Sequence, residues 1–268
     1  MWSFEKMAFA GDMNVEDFLR YCKDQGYDSV ELLDCFWKET DDEIDKVNNL
    51  ASELEVSIGC YSIGNDFALP DENKRAEQVE YVKNGIDVAF RLGAPILRVF
   101  GGSPKKGVEF EQAFHWITDG FRECTKKAED NGVIMAMENH GTLSGSARQV
   151  SQIILKVKSP NFKATADMAN FLLVDENPVE ALKVLHEDIA HVHCKDMCFP
   201  ESGENPVFTS LKGRGYTGCN VGEGEVNAKS CLEYLKKVKY DGMISIEYEG
   251  SEPVTGIPAS RRFIEEII

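Results

Sequence analysis

Three carboxylates and an imidazole close the late apolar runs of this chain: Glu138 in VIMAMENHG, Asp167 in KATADMAN, His193 in AHVHCKDM and Glu247 in ISIEYEG. Brought together, the three carboxylates would repel one another and resist ionisation unless a cation sat among them. Two Glu, one Asp and one His supply hard oxygen donors and one nitrogen. That set suits Mn2+, Mg2+, Co2+ or Zn2+, with open positions for substrate oxygens. Such an ion makes a C–H bond next to a carbonyl acidic, so a positioned carboxylate suffices as base. Return of the proton to the opposite face gives epimerisation, return to the neighbouring carbon gives isomerisation, and loss of a β-substituent gives elimination. The plain alternative for each residue is a strand-end acid that caps a helix or meets water. Four of them at successive strand ends, with matching parity, favour a site.

The elements that must position them repeat along the chain as a short β-rich run, a loop and a helical stripe of apolar residues. Strands are expected at 4–9, 29–33, 56–61, 96–100, 133–138, 163–167, 190–194 and 243–247. Between them lie stripes such as Phe110, Phe114, Ile117, Phe121, Cys124 and Ala128. Glycine turns follow several helices, as in DNGVIMAME, which are C-cap signals. Eight β/α units imply an α/β fold, a (β/α)8 TIM barrel, as a single domain over 1–268. An open doubly wound sheet would carry a glycine-rich loop after its first strand, and FAGDMN is not one. The GxGxxG match at 213–218 follows no strand and opens no helix. One long loop, about 195–226, follows the seventh strand, and loops of that length are usually functional or disordered.

In a barrel the C-terminal strand ends converge on one mouth, and alternate side chains point inward. Glu138 then goes with Ala136, Asp167 with Thr165, His193 with His191 and Glu247 with Ser245. His140, two residues past Glu138, is an extra acid or base or a solvent-exposed turn residue. Trp37, in DCFWKE, is placed to stack on a sugar face, and Asn139, Asn170, Lys195 and Arg214 are candidate substrate contacts. Lys195 and Asp196 read as substrate contacts or simply as an ion pair opening the loop.

At MENHGT, HVHCKD and NVGEGEVN with YDGMISIEYEG, the sequence resembles the xylose isomerase-like TIM barrels. These include sugar and sugar-phosphate isomerases and epimerases, inosose dehydratases and the AP endonuclease type 2 fold. The resemblance implies that Glu138, Asp167, His193 and Glu247 are metal ligands and that Glu138 and Glu247 carry protons on opposite faces of the substrate. Two departures stand out. Many ketose epimerases have DxxH on the sixth strand, where this chain has Asn170, and the arginine they carry soon after the strand-seven histidine is replaced by Phe199. The endonuclease branch needs several further histidines, and this chain has 5 in all. The expected activity is that of a metal-dependent sugar isomerase or epimerase. A lyase on keto-glycosides, such as a C-glycoside deglycosidase catalytic subunit, and a sugar-binding module are the alternatives.

Composition agrees with that class. With 268 residues, 43% apolar and 10% aromatic, the chain can bury a large core. A formal charge of −17, from 29 basic and 46 acidic residues, repels phosphate backbones and anionic lipid, so neither nucleic acid nor membrane is an expected partner. The partners expected are a small sugar or glycoside and further subunits: a homo-oligomer, or a hetero-oligomer if the chain is deglycosidase-like. No signal peptide or run of about 20 apolar residues is present. The 8 cysteines include no CxxC pair and read as reduced thiols in a cytoplasm.

Overall fold

The computed structural model describes residues 13–268; the first expected strand, at 4–9, lies outside them. The chain divides into two compact units, one of Phe4–Met137 with Ile153–Lys163, the other containing Glu138–Gln152 and Ala164–Ile268. In the described part of the first, α1 (Val15–Asp24) opens at Asn14, whose side chain accepts from Asp17 N while Asp17 answers the cap, and it buries Phe18, Leu19 and Cys22. A strand β1 (Ser29–Leu33) follows, then α2 (Asp41–Leu54), opened by the same kind of box between Thr40 and Glu43. The alternation continues with β2 (Ser57–Ser62), α3 (Glu72–Arg91), β3 (Ile96–Val99), α4 (Phe110–Asn131) and β4 (Ile134–Glu138). Helix α4 buries Ala113, Ile117, Phe121, Cys124 and Ala128 and ends at Gly132, whose φ of 65° is the left-handed C-cap that favours glycine.

The second unit receives the last residue of β4. From there α5 (Ala147–Val157) and β5 (Phe162–Asp167), whose residues 153–163 belong to the first unit, lead on to the short α6 (Asn170–Leu173), α7 (Pro178–Leu185) and β6 (Ile189–Cys194). After a further excursion come α8 (Ala228–Lys237), β10 (Met243–Ile246) and α9 (Pro253–Glu265). Seven parallel strands are hydrogen-bonded in the order β1-β2-β3-β4-β5-β6-β10, with helices in the connections. In the parallel ladders Asp167 lies opposite His193, and His193 opposite Ser245.

The expected loop at 195–226 carries three short strands, a correction to the sequence reading. They are β7 (Asp196–Cys198), β8 (Phe208–Thr209) and β9 (Gly215–Cys219), in an antiparallel sheet of order β7-β9-β8. Runs of two to five residues are too short to show a period. Residues 213–218, the isolated glycine motif, form the turn into β9 and most of that strand. Buried Asp196 ties the start of this excursion to its return. Its Oδ1 accepts from Met197 N at 2.9 Å and Val226 N at 3.1 Å, and its Oδ2 from Gly222 N at 2.9 Å and Gly224 N at 3.2 Å. A Cβ on Gly224 would stand 2.3 Å from Asp196 Oδ1, so only glycine passes this close to the carboxylate.

Among the described residues, no helix is long and apolar enough to cross a membrane.

Candidate metal centre

Glu138 ends β4, Asp167 ends β5, His193 lies one residue before the end of β6, and Glu247 follows β10, its N–H bonded to Cys194 O at 3.2 Å. Strand alternation carries all four to one place. One donor atom from each of Glu138, Asp167, His193 and Glu247 lies within 4.8 Å of the others. The inward partners Ala136, Thr165, His191 and Ser245 are buried beneath them. The ring of His191 meets that of His193 edge-on, with centroids 5.0 Å apart.

His193 Nδ1 stands 2.8 Å from Glu247 Oε2 and 3.5 Å from Glu138 Oε2. Oδ2 of Asp167 is buried within ion-pair reach of Lys195, and Oε2 of Glu247 is buried beside His193, yet neither oxygen is aligned for a hydrogen bond. Three carboxylates and an imidazole with inward-facing donor atoms in a buried setting fit a divalent ion. The charges act on one another strongly. Burial pushes the Asp167 carboxyl up to about 7, against Lys195 and with the help of Glu247 and Glu138. Burial also opposes ionisation of Glu247, but Lys195 and His193 overcome it and hold this carboxyl well below the ordinary range.

Neighbouring groups hold these four side chains. Asn139 donates from Nδ2 to Asp167 O at 3.0 Å and accepts from Asp167 N at 2.7 Å. The Asp167 Oδ1 atom accepts from Ala169 N at 2.8 Å and Asn170 N at 2.9 Å. Asn170 Nδ2 donates to Glu138 Oε1 at 3.0 Å. The Lys195 ammonium is buried, 2.7 Å from Asp167 Oδ2, 3.3 Å from Glu247 Oε1 and 3.6 Å from Glu249 Oε1. Three of the residues expected at the substrate, Asn139, Asn170 and Lys195, thus direct their side-chain polar groups onto ligand residues.

Lys195 does not pair with Asp196, whose carboxylate takes the backbone N–H groups of Met197, Gly222, Gly224 and Val226 instead. The signal for Lys195 was present in the sequence, because the alternation that turns His191 and His193 inward turns Lys195 the same way. Its partner Glu249, two residues past Glu247, follows from the same parity. The other three candidates make local contacts. The His140 side chain is exposed just past β4, and its carbonyl accepts from Ser144 Oγ at 3.1 Å. Arg214 is exposed at the turn between β8 and β9, its N–H bonded to Ser210 Oγ at 3.1 Å. Trp37, in the first unit, is half-buried with its ring edge-on to Tyr61, centroids 6.3 Å apart.

Parallel strands joined by helices, with four candidate metal ligands at the strand ends, define a TIM barrel. The chain belongs to the xylose isomerase-like TIM barrel family, whose model matches residues 19–267. It is 27% identical over 213 residues to an uncharacterised protein of Methanocaldococcus jannaschii, covering 74% of this chain and 66% of that protein, so the chain spans just under two thirds of that relative. It is 24% identical over 281 residues to the L-ribulose-5-phosphate 3-epimerase UlaE of Escherichia coli, covering 98% of this chain and 92% of the epimerase. Among solved structures, the 3-keto-D-glucoside 4-epimerase YcjR of Escherichia coli superposes with a TM-score of 0.75 at 15% identity, covering 94% of each chain.

Proposed function

We propose that this protein is a divalent-metal-dependent sugar isomerase or epimerase that works by proton abstraction next to a carbonyl. The observation that carries the reading is the buried convergence of Glu138, Asp167, His193 and Glu247 within 4.8 Å. Likeness to a ribulose-phosphate epimerase along nearly the whole chain supports it. When bound, the ion, Mn2+ or a similar divalent cation, would supply the Lewis-acid charge that makes the substrate C–H acidic. The chain's own residues do the rest. Glu138 and Glu247 are the two carboxylates for taking and returning the proton, and Asn170 holds Glu138 in one orientation through its Oε1. Asn139 and the N–H groups of Ala169 and Asn170 hold Asp167 as a pure ligand. His140, Trp37 and Arg214 remain candidates for contacts with the rest of the substrate. Eight thiols, none in a disulfide, support a reducing compartment such as the cytoplasm.

The test is solvent-proton exchange. Protein loaded with Mn2+ is incubated in D2O with ketopentoses and ketohexoses, free and phosphorylated, and with 3-keto-glycosides. Deuterium appearing at the carbon beside the carbonyl, abolished by chelation, supports the proposal. Release of the aglycone from a keto-glycoside turns it into a lyase, and absence of exchange with every substrate leaves a sugar-binding module.

A further inference from the structure

Lys195 is the only lysine or arginine among the described residues whose charged group is placed against two of the four candidate ligands. Its side chain is 4% exposed. Three carboxylates lie around the ammonium, Asp167, Glu247 and Glu249, at 2.7, 3.3 and 3.6 Å. Its nearest charges are thus two candidate ligands, and its effect falls on them.

The charge count makes that effect specific. Glu138, Asp167 and Glu247 bring three negative charges, and a ligating imidazole is neutral. One buried ammonium beside them lowers the negative charge that an ion meets, and Glu249 offsets part of that effect. The repulsion between the ammonium and a bound ion grows with the ion's charge, so it weighs more on a trivalent ion than on a divalent one.

We infer that Lys195 lowers the charge demand of the centre, so that the site discriminates against a trivalent ion more strongly than its four candidate ligands alone would. Lys195 is a positioning residue here, acting through Asp167 and Glu247, and the inference rests on the metal reading of the site. Replacing it with methionine keeps the aliphatic stem and removes the charge. The freed carboxylates then bind any cation more tightly, and a trivalent ion gains more than a divalent one because the lost repulsion scales with the ion's charge. Glu249, which touches the lysine but is not in the ligand set, gives the opposite sign. Its charge offsets part of the ammonium, and Glu249→Gln removes that offset.

The experiment is equilibrium dialysis of the full chain against Mn2+ and, separately, terbium(III), read by elemental analysis of bound metal for wild type, Lys195→Met and Glu249→Gln. Melting in chelator is recorded alongside. Lys195→Met is expected to bind Mn2+ about tenfold or more tightly than wild type, to bind terbium tighter by a larger factor, and to melt lower when chelated. Glu249→Gln is expected to weaken both ions, terbium more. A lysine needed only for packing would instead lower both affinities together. Unchanged or weaker binding by Lys195→Met, with the terbium-to-manganese preference unmoved, overturns the inference while leaving the metal reading in place. If Lys195→Met does not fold, an unmoved preference in Glu249→Gln overturns it alone. Wild-type protein that takes up neither ion removes the metal reading and the inference with it.

Discussion

Asn139 and Asp167 are joined by a reciprocal pair of hydrogen bonds, side-chain amide to backbone, at 3.0 and 2.7 Å. The pair imitates one rung of a β-ladder just where β4 ends, and so continues the alignment of β4 with β5 past its last backbone partner. Asn139→Ala leaves the buried Asp167 N–H without its acceptor. The expected loss is about 1–3 kcal/mol in urea unfolding, together with weaker Mn2+ uptake. Unaltered uptake would show that Asp167 is held without this rung.

Asn170 occupies the place where many ketose epimerases carry a histidine, and its amide reaches Glu138 Oε1 at 3.0 Å. Asn170→Ala is expected to lower the deuterium-exchange rate by about 10–100-fold, the usual cost of removing a group that orients a ligand. Restoration by Asn170→Gln is not expected, because the longer side chain displaces the carboxylate. An exchange rate unchanged in Asn170→Ala would remove this residue from the mechanism.

Asp196 bonds to four backbone N–H groups of the segment that begins at Met197 and returns at Val226. Asp196→Ala strands several buried donors at once, and a loss on the order of 3 kcal/mol is expected. Gly224→Ala acts on the same contact from the other side, since its Cβ would meet Asp196 Oδ1 at 2.3 Å and Met197 O at 2.5 Å. Hydrogen exchange at Gly222, Gly224 and Val226 should accelerate in both variants, and protected amides there would refute the anchoring role.

Glu39 sits at φ 57° with Oε1 buried and not hydrogen-bonded. Burial, then the neighbouring Asp34, raises its carboxyl from 4.5 to about 7. A carboxyl raised in the folded state holds its proton there after the unfolded chain has released it. Stability from this group is therefore complete below pH 4.5 and is lost as pH climbs through 7. Glu39→Gln should melt with wild type at pH 5 and above it at pH 8. Equal melting at both values would mean that the carboxylate ionises freely.

Much of this was legible in the sequence because it depends on alternation. The range 29–33 for β1 is reproduced to the residue, and the other described strands of the parallel sheet fall within a residue of expectation at each end, since β-rich runs between glycine turns leave little freedom. The convergence of the four candidate ligands follows from those ends. The structure reveals contacts that no period encodes. Asn139 and Asn170 carry the same chemistry whether they face a sugar or a neighbouring strand, and only the backbone path turns them onto Asp167 and Glu138. The strands β7 to β9 were hidden because their pairing is held by Asp196 and by glycines, without an apolar stripe to mark it.

Asp167 lies opposite His193, and His193 opposite Ser245, two residues before Glu247. Three of the four donors therefore hang on two adjacent rungs of hydrogen bonding, and sliding either strand by one residue would swing its donor outward to the helices. An ion captured there would recognise only chains whose strands have zipped in the right frame. Correct registration of these strands and assembly of the four-residue cluster are therefore a single structural event.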